Sequence, residues 1–219
     1  MRTMTFIDWF AGIGGFRRGM ELAGHKCVGF CEYDKYAVAS YTAMHLITEE
    51  QREYLLSLDE KKRQKEILKE KYRNGEWFGP DVARVHAGDI PKADCWCFGF
   101  PCIDLSIAGR KKGLAGSDSG LFFRIVELLG NTPYEKRPDF LIAENVKNLL
   151  GINRGWDFAR VLSELDGGGG MVSNGRLLTL PALEFHRAEK GCSLSDILEE
   201  AEDRYFLSPS QEERIVYFR

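Results

Sequence analysis

The sequence predicts an α/β protein built on a doubly wound, mainly parallel sheet, and three observations predict it. A short apolar segment, residues 5–10, runs straight into a turn carrying Gly12, Gly14 and Gly15. A second apolar segment, residues 26–32, follows one short helical stretch and ends in an acid, Glu32. Extended and helical patterns then keep alternating as far as Ala143, the order in which an open sheet with crossover helices is laid down.

Taken in order, residues 5–10 are apolar and aromatic, as a buried strand requires, and the glycines that follow permit a tight turn. Residues 16–23 give a short helix closed by Gly24, residues 26–32 a strand through Cys27, Val28 and Phe30, and residues 36–46 a second helix. Residues 48–73 differ. They are rich in Glu, Lys, Arg, Gln and Leu with acids and bases nearly balanced, which predicts a solvated helical insertion. A third strand is expected near Val85, with Gly88, Asp89 and Ile90 at its end, a fourth over residues 95–100 and a fifth over residues 140–143. Between the last two, Leu121, Phe122, Ile125, Val126 and Leu129 repeat at helical spacing. After Asp166 the pattern breaks into four consecutive glycines, 167–170, which suit a flexible joint. Beyond them one weak strand or hairpin (171–181) and one helix (193–202, Ser193 as its N-cap) are expected. The organisation is thus a domain over 1–166, a glycine linker over 167–170 and a short C-terminal remnant over 171–219.

The composition bounds the function. The chain has 219 residues, 44% hydrophobic and 29% charged, an ordinary globular balance. No apolar run reaches the roughly 18 residues of a membrane span. The first ten residues carry Arg2 and Asp8 without a small-residue cleavage site, so no signal peptide is expected. The formal charge of −3 excludes a general basic coat, and any nucleic-acid contact must come from local patches. Six cysteines in such a chain read as reduced thiols in a cytoplasm.

The candidate chemistry gathers at predicted strand ends. Glycines at a strand-to-helix turn let backbone approach a ligand, the helix N-terminus offers free N–H groups, and Phe10 can present a ring. Glu32 lies roughly 20 residues past the turn, where an acid can accept from two ribose hydroxyls. Asp89 is placed to accept from an amino group, although an ordinary turn aspartate would look the same. Cys102, after Pro101 and the fourth strand, suits an exposed nucleophile. Cys27, Cys31, Cys95 and Cys97 sit on apolar strands as small buried hydrophobes, and their spacings are poor for zinc, so no metal is expected. The polar loop holding Ser106, Arg110, Lys111 and Lys112 could close over a phosphate backbone or simply be solvated. Glu144, at the end of an apolar strand, invites a raised carboxyl pKa and acid work near neutrality.

The set FAGIGGFR, CEYDKYA, GDI, GFPCIDLSIAGRKKGL and ENVKNLL, in this order over residues 5–166, resembles the DNA (cytosine-5)-methyltransferases of bacterial restriction-modification systems and phages. The resemblance implies a Rossmann-like methyltransferase fold. It implies that Phe10, Gly12, Ile13, Gly14, Glu32, Tyr33, Asp89, Ile90, Pro101 and Leu121 surround S-adenosyl-L-methionine, which leaves as S-adenosyl-L-homocysteine. It further implies that Cys102 is the nucleophile, that Glu144, Asn145 and Val146 grip a flipped cytosine, and that the partner is double-stranded DNA.

The sequence departs from that family in places. Ile103 stands where Gln or Ser is usual after the Pro-Cys pair, and no Gln-x-Arg-x-Arg motif follows residue 166. Residues 192–208 are similar to a segment of the C-terminal half of some relatives, which reads as a deletion joined by the glycine run. A target recognition domain is not recognisable, so DNA affinity is expected to be weak. Two other readings follow: a cofactor-binding module without catalysis, or one half of a split enzyme whose partner chain reads the DNA.

Overall fold

The computed structural model describes residues 2–100, 120–146, 149, 156–165 and 216–218. The chain divides into two compact units, Met1–Gly99 with Asn131–Pro138, and Phe100–Gly130 with Asp139–Arg219.

The first unit begins with β1 (Thr5–Trp9), α1 (Gly15–Leu22), β2 (Lys26–Cys31) and α2 (Lys35–Tyr41). A π-helical turn, Thr42–Leu46, leads into α3 (Glu49–Ser57) and α4 (Glu60–Glu66), and the unit is completed by β3 (Trp77–Gly79) and β4 (Cys95–Gly99). The strands run in the order β3-β2-β1-β4, every pair parallel. Phe6, Ile7, Asp8 and Trp9 are all buried, the near-continuous burial of a parallel strand covered on both faces. At the start of β1 the Thr5 backbone N–H and hydroxyl donate to Asp94 Oδ2 at 2.7 and 2.8 Å. The Asp94 N–H donates back to the Thr5 hydroxyl at 3.0 Å, which pins the register of β1 against β4. Trp9 packs against Trp96 and Trp77 with ring centroids 4.9 and 5.6 Å apart.

The insertion is as helical as its composition predicts. Thr48 and Gln51 form a reciprocal capping box at the start of α3, and Asp59 caps α4 by accepting from the Lys62 N–H. Leu55, Ile67 and Tyr72 form a small core of their own, packed against Ala39, Ala43 and Ile47 of the preceding helical segment.

Two expectations are corrected. The third strand is Trp77–Gly79, not a segment near Val85, and residues 82–84 and 87–89 form 3-10 turns. Asp89 therefore closes a turn, its N–H donating to the His86 carbonyl at 3.0 Å, instead of ending a strand. Asp81 explains the shift, because its carboxylate accepts from the Ala83 N–H and starts a turn before an extended run can form. The helix expected over 36–46 is α-helical only to Tyr41. It then loosens by one residue, with the Ile47 N–H reaching five residues back to the Thr42 carbonyl at 3.2 Å.

The second unit contains α5 (Gly120–Asn131), whose Phe122, Ile125, Leu128 and Leu129 are buried, then β5 (Phe140–Glu144), α6 (Trp156–Leu165) and β6 (Val216–Phe218). Strands β5 and β6 pair in parallel through Leu141–Val216, Ile142–Tyr217 and Ala143–Phe218. Among the described residues no helix is long and apolar enough to cross a membrane. The glycine run 167–170 lies outside the described residues.

Candidate cofactor turn and nucleophile approach

Strand β1 delivers the chain into a left-handed corner. Phe10 has φ +53° and Gly12 φ +55°, and the Phe10 ring is half-buried. A side chain with a Cβ held in that region costs about 1–2 kcal/mol, a strain that surrounding contacts must fix. Contacts on both sides of the turn fix it. The Gly12 N–H donates to Glu32 Oε2 at 2.8 Å, tying the turn to the end of β2. The other Glu32 oxygen accepts from the Asp34 N–H at 2.7 Å, so the acid also shapes the entry to α2. On the far side of the turn the Ile13 carbonyl accepts from His45 Nε2 at 2.9 Å.

Helix α1 has Gly14 at its N-cap and no capping side chain of its own. Asp8 supplies one from the strand beneath, its Oδ2 accepting from the Arg17 N–H at 3.3 Å in the first helical turn. The other oxygen, Oδ1, is buried without a partner. Burial pushes the Asp8 carboxyl up to about 8, against the pull of the Arg17 N–H and guanidinium, and the nearby Glu32 charge adds to the rise. Arg17 is itself buried and grips Glu76 with two nitrogens at 2.6 and 2.8 Å and Glu21 at 2.9 Å. Cys27, Cys31, Cys95 and Cys97 are buried free thiols, as their strands predict, and burial pushes Cys27 and Cys31 up to about 12.

Around the turn the structure leaves an open rim. A Cβ built on Gly12 or Gly15 would meet nothing within 4 Å. Ile13 is 59% exposed and Tyr33, just past Glu32, is 80% exposed. Large apolar side chains are thus left open beside an unobstructed backbone corner that the Glu32 carboxylate anchors. Ile90, by contrast, is almost completely buried and contributes its side chain to the core, while Asp89 is exposed in its turn.

In the second unit, Glu144 ends β5 and is exposed, not enclosed by the apolar surroundings expected of it. Asn145 is engaged: its Nδ2 donates to the Phe100 carbonyl at 2.9 Å and its Oδ1 accepts from the Val146 N–H at 2.9 Å. Phe100, buried against Phe122 with centroids 5.1 Å apart, is the last described residue before Pro101 and Cys102. Leu121 is half-buried on α5. Pro101, Cys102, Ser106, Arg110, Lys111 and Lys112 lie outside the described residues.

The sequence matches the family model for C-5 cytosine-specific DNA methylases over residues 4–174. The chain belongs to this family. Among curated methylases it is 35% identical over 165 residues to the type II methyltransferase M.NlaX of Neisseria lactamica, covering 74% of this chain and 42% of that protein. It is 34% identical over 152 residues to the type II methyltransferase M.HhaI of Haemophilus parahaemolyticus, covering 69% of this chain and 36% of that one. The DNA-cytosine methyltransferase of Escherichia coli K12 is 34% identical over 178 residues, with 74% of this chain and 34% of that protein covered. The chain thus spans about a third to two fifths of the length of these methylases. Two residues of this methylase chain had no distinct signal in the sequence as holders of the turn. His45 is one histidine in a helical pattern, and Arg17, although it closes the FAGIGGFR motif, gives no sign in the sequence of its Glu21 and Glu76 partners.

Proposed function

We propose that this chain carries the catalytic part of a DNA cytosine-5 methyltransferase that binds S-adenosyl-L-methionine at the 10–17 turn. The observation that supports this most is the pairing of Gly12 with Glu32, which fixes a left-handed, unobstructed corner beside an acid in a chain of this family. Each Glu32 oxygen already accepts one backbone N–H and keeps a second lone pair for a ribose hydroxyl. Tyr33 and Phe10 offer ring surface, and the backbone near Ile13 lies open to the ligand's polar end. When bound, S-adenosyl-L-methionine supplies the methyl group.

The remaining chemistry belongs to the chain's own residues. The C5 of cytosine is a poor nucleophile, so Cys102 adds as thiolate to C6 and turns C5 into an enamine-like carbon. A hydrogen bond between Glu144 and N3 stabilises the charge that develops on the ring. Once C5 carries the methyl group, loss of its proton to solvent water expels the thiolate from C6 and restores the C5–C6 double bond. A base stacked in a duplex offers no approach to C6, so the target must be flipped. Asn145 tethers the Phe100 carbonyl, two residues before Cys102 in the sequence. In this reading the catalytic domain spans 1–166, followed by the 167–170 linker and the 171–219 remnant.

The test is covalent capture. Incubation with labelled cofactor and duplex DNA containing 5-fluorocytosine is expected to trap an adduct that Cys102→Ser abolishes, because fluorine at C5 blocks the elimination. No adduct, under conditions in which the chain binds S-adenosyl-L-homocysteine, would overturn catalysis by this chain alone.

A further inference from the structure

The glycine turn is held from a direction that the sequence does not suggest. His45 sits in the π-helical turn Thr42–Leu46 and donates through Nε2 to the Ile13 carbonyl. A carbonyl only accepts, so Nε2 carries the hydrogen. The ring occupies the space that a side chain on Gly14 would need: a Cβ there would lie 2.3 Å from His45 Nε2 and 3.1 Å from Tyr41 Cδ2. Gly14 is therefore a glycine partly because His45 is where it is. The π-helical turn in turn leaves carbonyls without helical partners, and the insertion takes them up. Arg52 of α3 donates to the Ala43 carbonyl at 2.9 Å, and Asn74, just past the insertion, donates through Nδ2 to the Leu46 carbonyl. Gln51 bonds the Lys71 carbonyl and the Asn74 side chain, closing the insertion on itself. Its small core packs beneath the same turn through Ala43 and Ile47.

We propose that the helical insertion is a strut for the cofactor turn, acting through the π-helical segment and His45 on the Ile13 carbonyl, with His45 as a positioning residue for cofactor affinity. This rests on reading the 10–17 turn as the S-adenosyl-L-methionine site. The chain of contacts runs from Asn74 and Arg52 through the Leu46 and Ala43 carbonyls to His45, and from there to the backbone that faces the ligand. One hydrogen bond lost at that final link loosens a corner already strained at Phe10.

The experiment measures S-adenosyl-L-homocysteine binding to the full chain by calorimetry, with thermal melts alongside. His45→Ala is expected to bind roughly five- to tenfold more weakly, the worth of one hydrogen bond to a ligand-facing group. His45→Gln places an N–H at similar reach and should stay within about threefold of the parent. Asn74→Gly suits the left-handed backbone there (φ +51°), removes the link to Leu46 together with the side-chain bonds to Gln51, and should weaken binding about two- to fivefold. The double variant His45→Ala/Asn74→Gly should be no weaker than His45→Ala alone, because both act on one path. Lys61→Ala, on the exposed side of α4, should leave affinity unchanged. No binding by the parent chain would overturn the cofactor site and this inference with it. Parent binding with His45→Ala unaffected, or Gln no better than Ala, would overturn the positioning role while leaving the site intact. Additive losses in the double variant, or an unaffected Asn74→Gly, would overturn the strut, and Asn74→Gly decides it even if His45→Ala fails to fold.

Discussion

Asp8 shows how one side chain can serve the turn and burden the fold together. Its carboxyl is completely buried, with one oxygen on the Arg17 N–H and the other unpartnered. Its pKa stands at about 8 in the folded chain and near 3.8 in an unfolded one, so between those values the folded state keeps a proton that the unfolded state has released. Stability therefore falls as pH rises through that window and levels off above it, by on the order of 5 kcal/mol from this group. Urea unfolding at pH 5, 7 and 9 should show that decline, and Asp8→Asn, which keeps an acceptor for Arg17 without a charge, should flatten it and be the more stable protein at pH 9. Equal slopes in the two proteins would refute the assignment. Legibility at this scale is uneven. Glu32 lies just past the end of β2, as the sequence predicts, but its two backbone partners cannot be read from sequence, because they depend on how the turn and α2 close around it. Asp89 is misplaced because a Gly-Asp-Ile triplet looks alike at a strand end and in a 3-10 turn.

Among the elements, those with a strong period were legible and those that are short or hybrid were not. The strand–turn–helix–strand opening and α5 announce themselves through unbroken apolar runs and helical spacing. Strand β3 has three residues, too few for alternation to show, and one of them is a glycine. The segment keeps α-helical spacing only up to Tyr41, and the π-helical turn that follows is stabilised by Arg52 and Asn74, which lie up to 28 positions away from the carbonyls they meet. The insertion depends on its caps, since α3 buries only Leu55. Thr48→Ala removes the hydroxyl from the capping box and should destabilise the protein by about 1 kcal/mol, read as a lower urea midpoint with an unchanged slope.

At the level of the whole molecule, charge is the property most directly open to measurement. The net charge is −3, and many described cations are already engaged: Arg17 with Glu76, Lys71 with Glu66, Arg124 with Glu127. Duplex binding by this chain alone is therefore expected to be weak at physiological salt, to fall steeply with added salt, and to show little sequence preference in a filter-binding assay, because phosphate contacts carry no base information. Tight, sequence-selective retention would contradict this. The small size of β3 bears on another aspect of the molecule's behaviour. As the outermost member of its sheet it exposes only a three-residue rim, followed at once by Pro80, which has no N–H to give. A neighbouring molecule seeking to add its own backbone along that flank finds almost nothing to grip, so the sheet is guarded there against edge-to-edge aggregation.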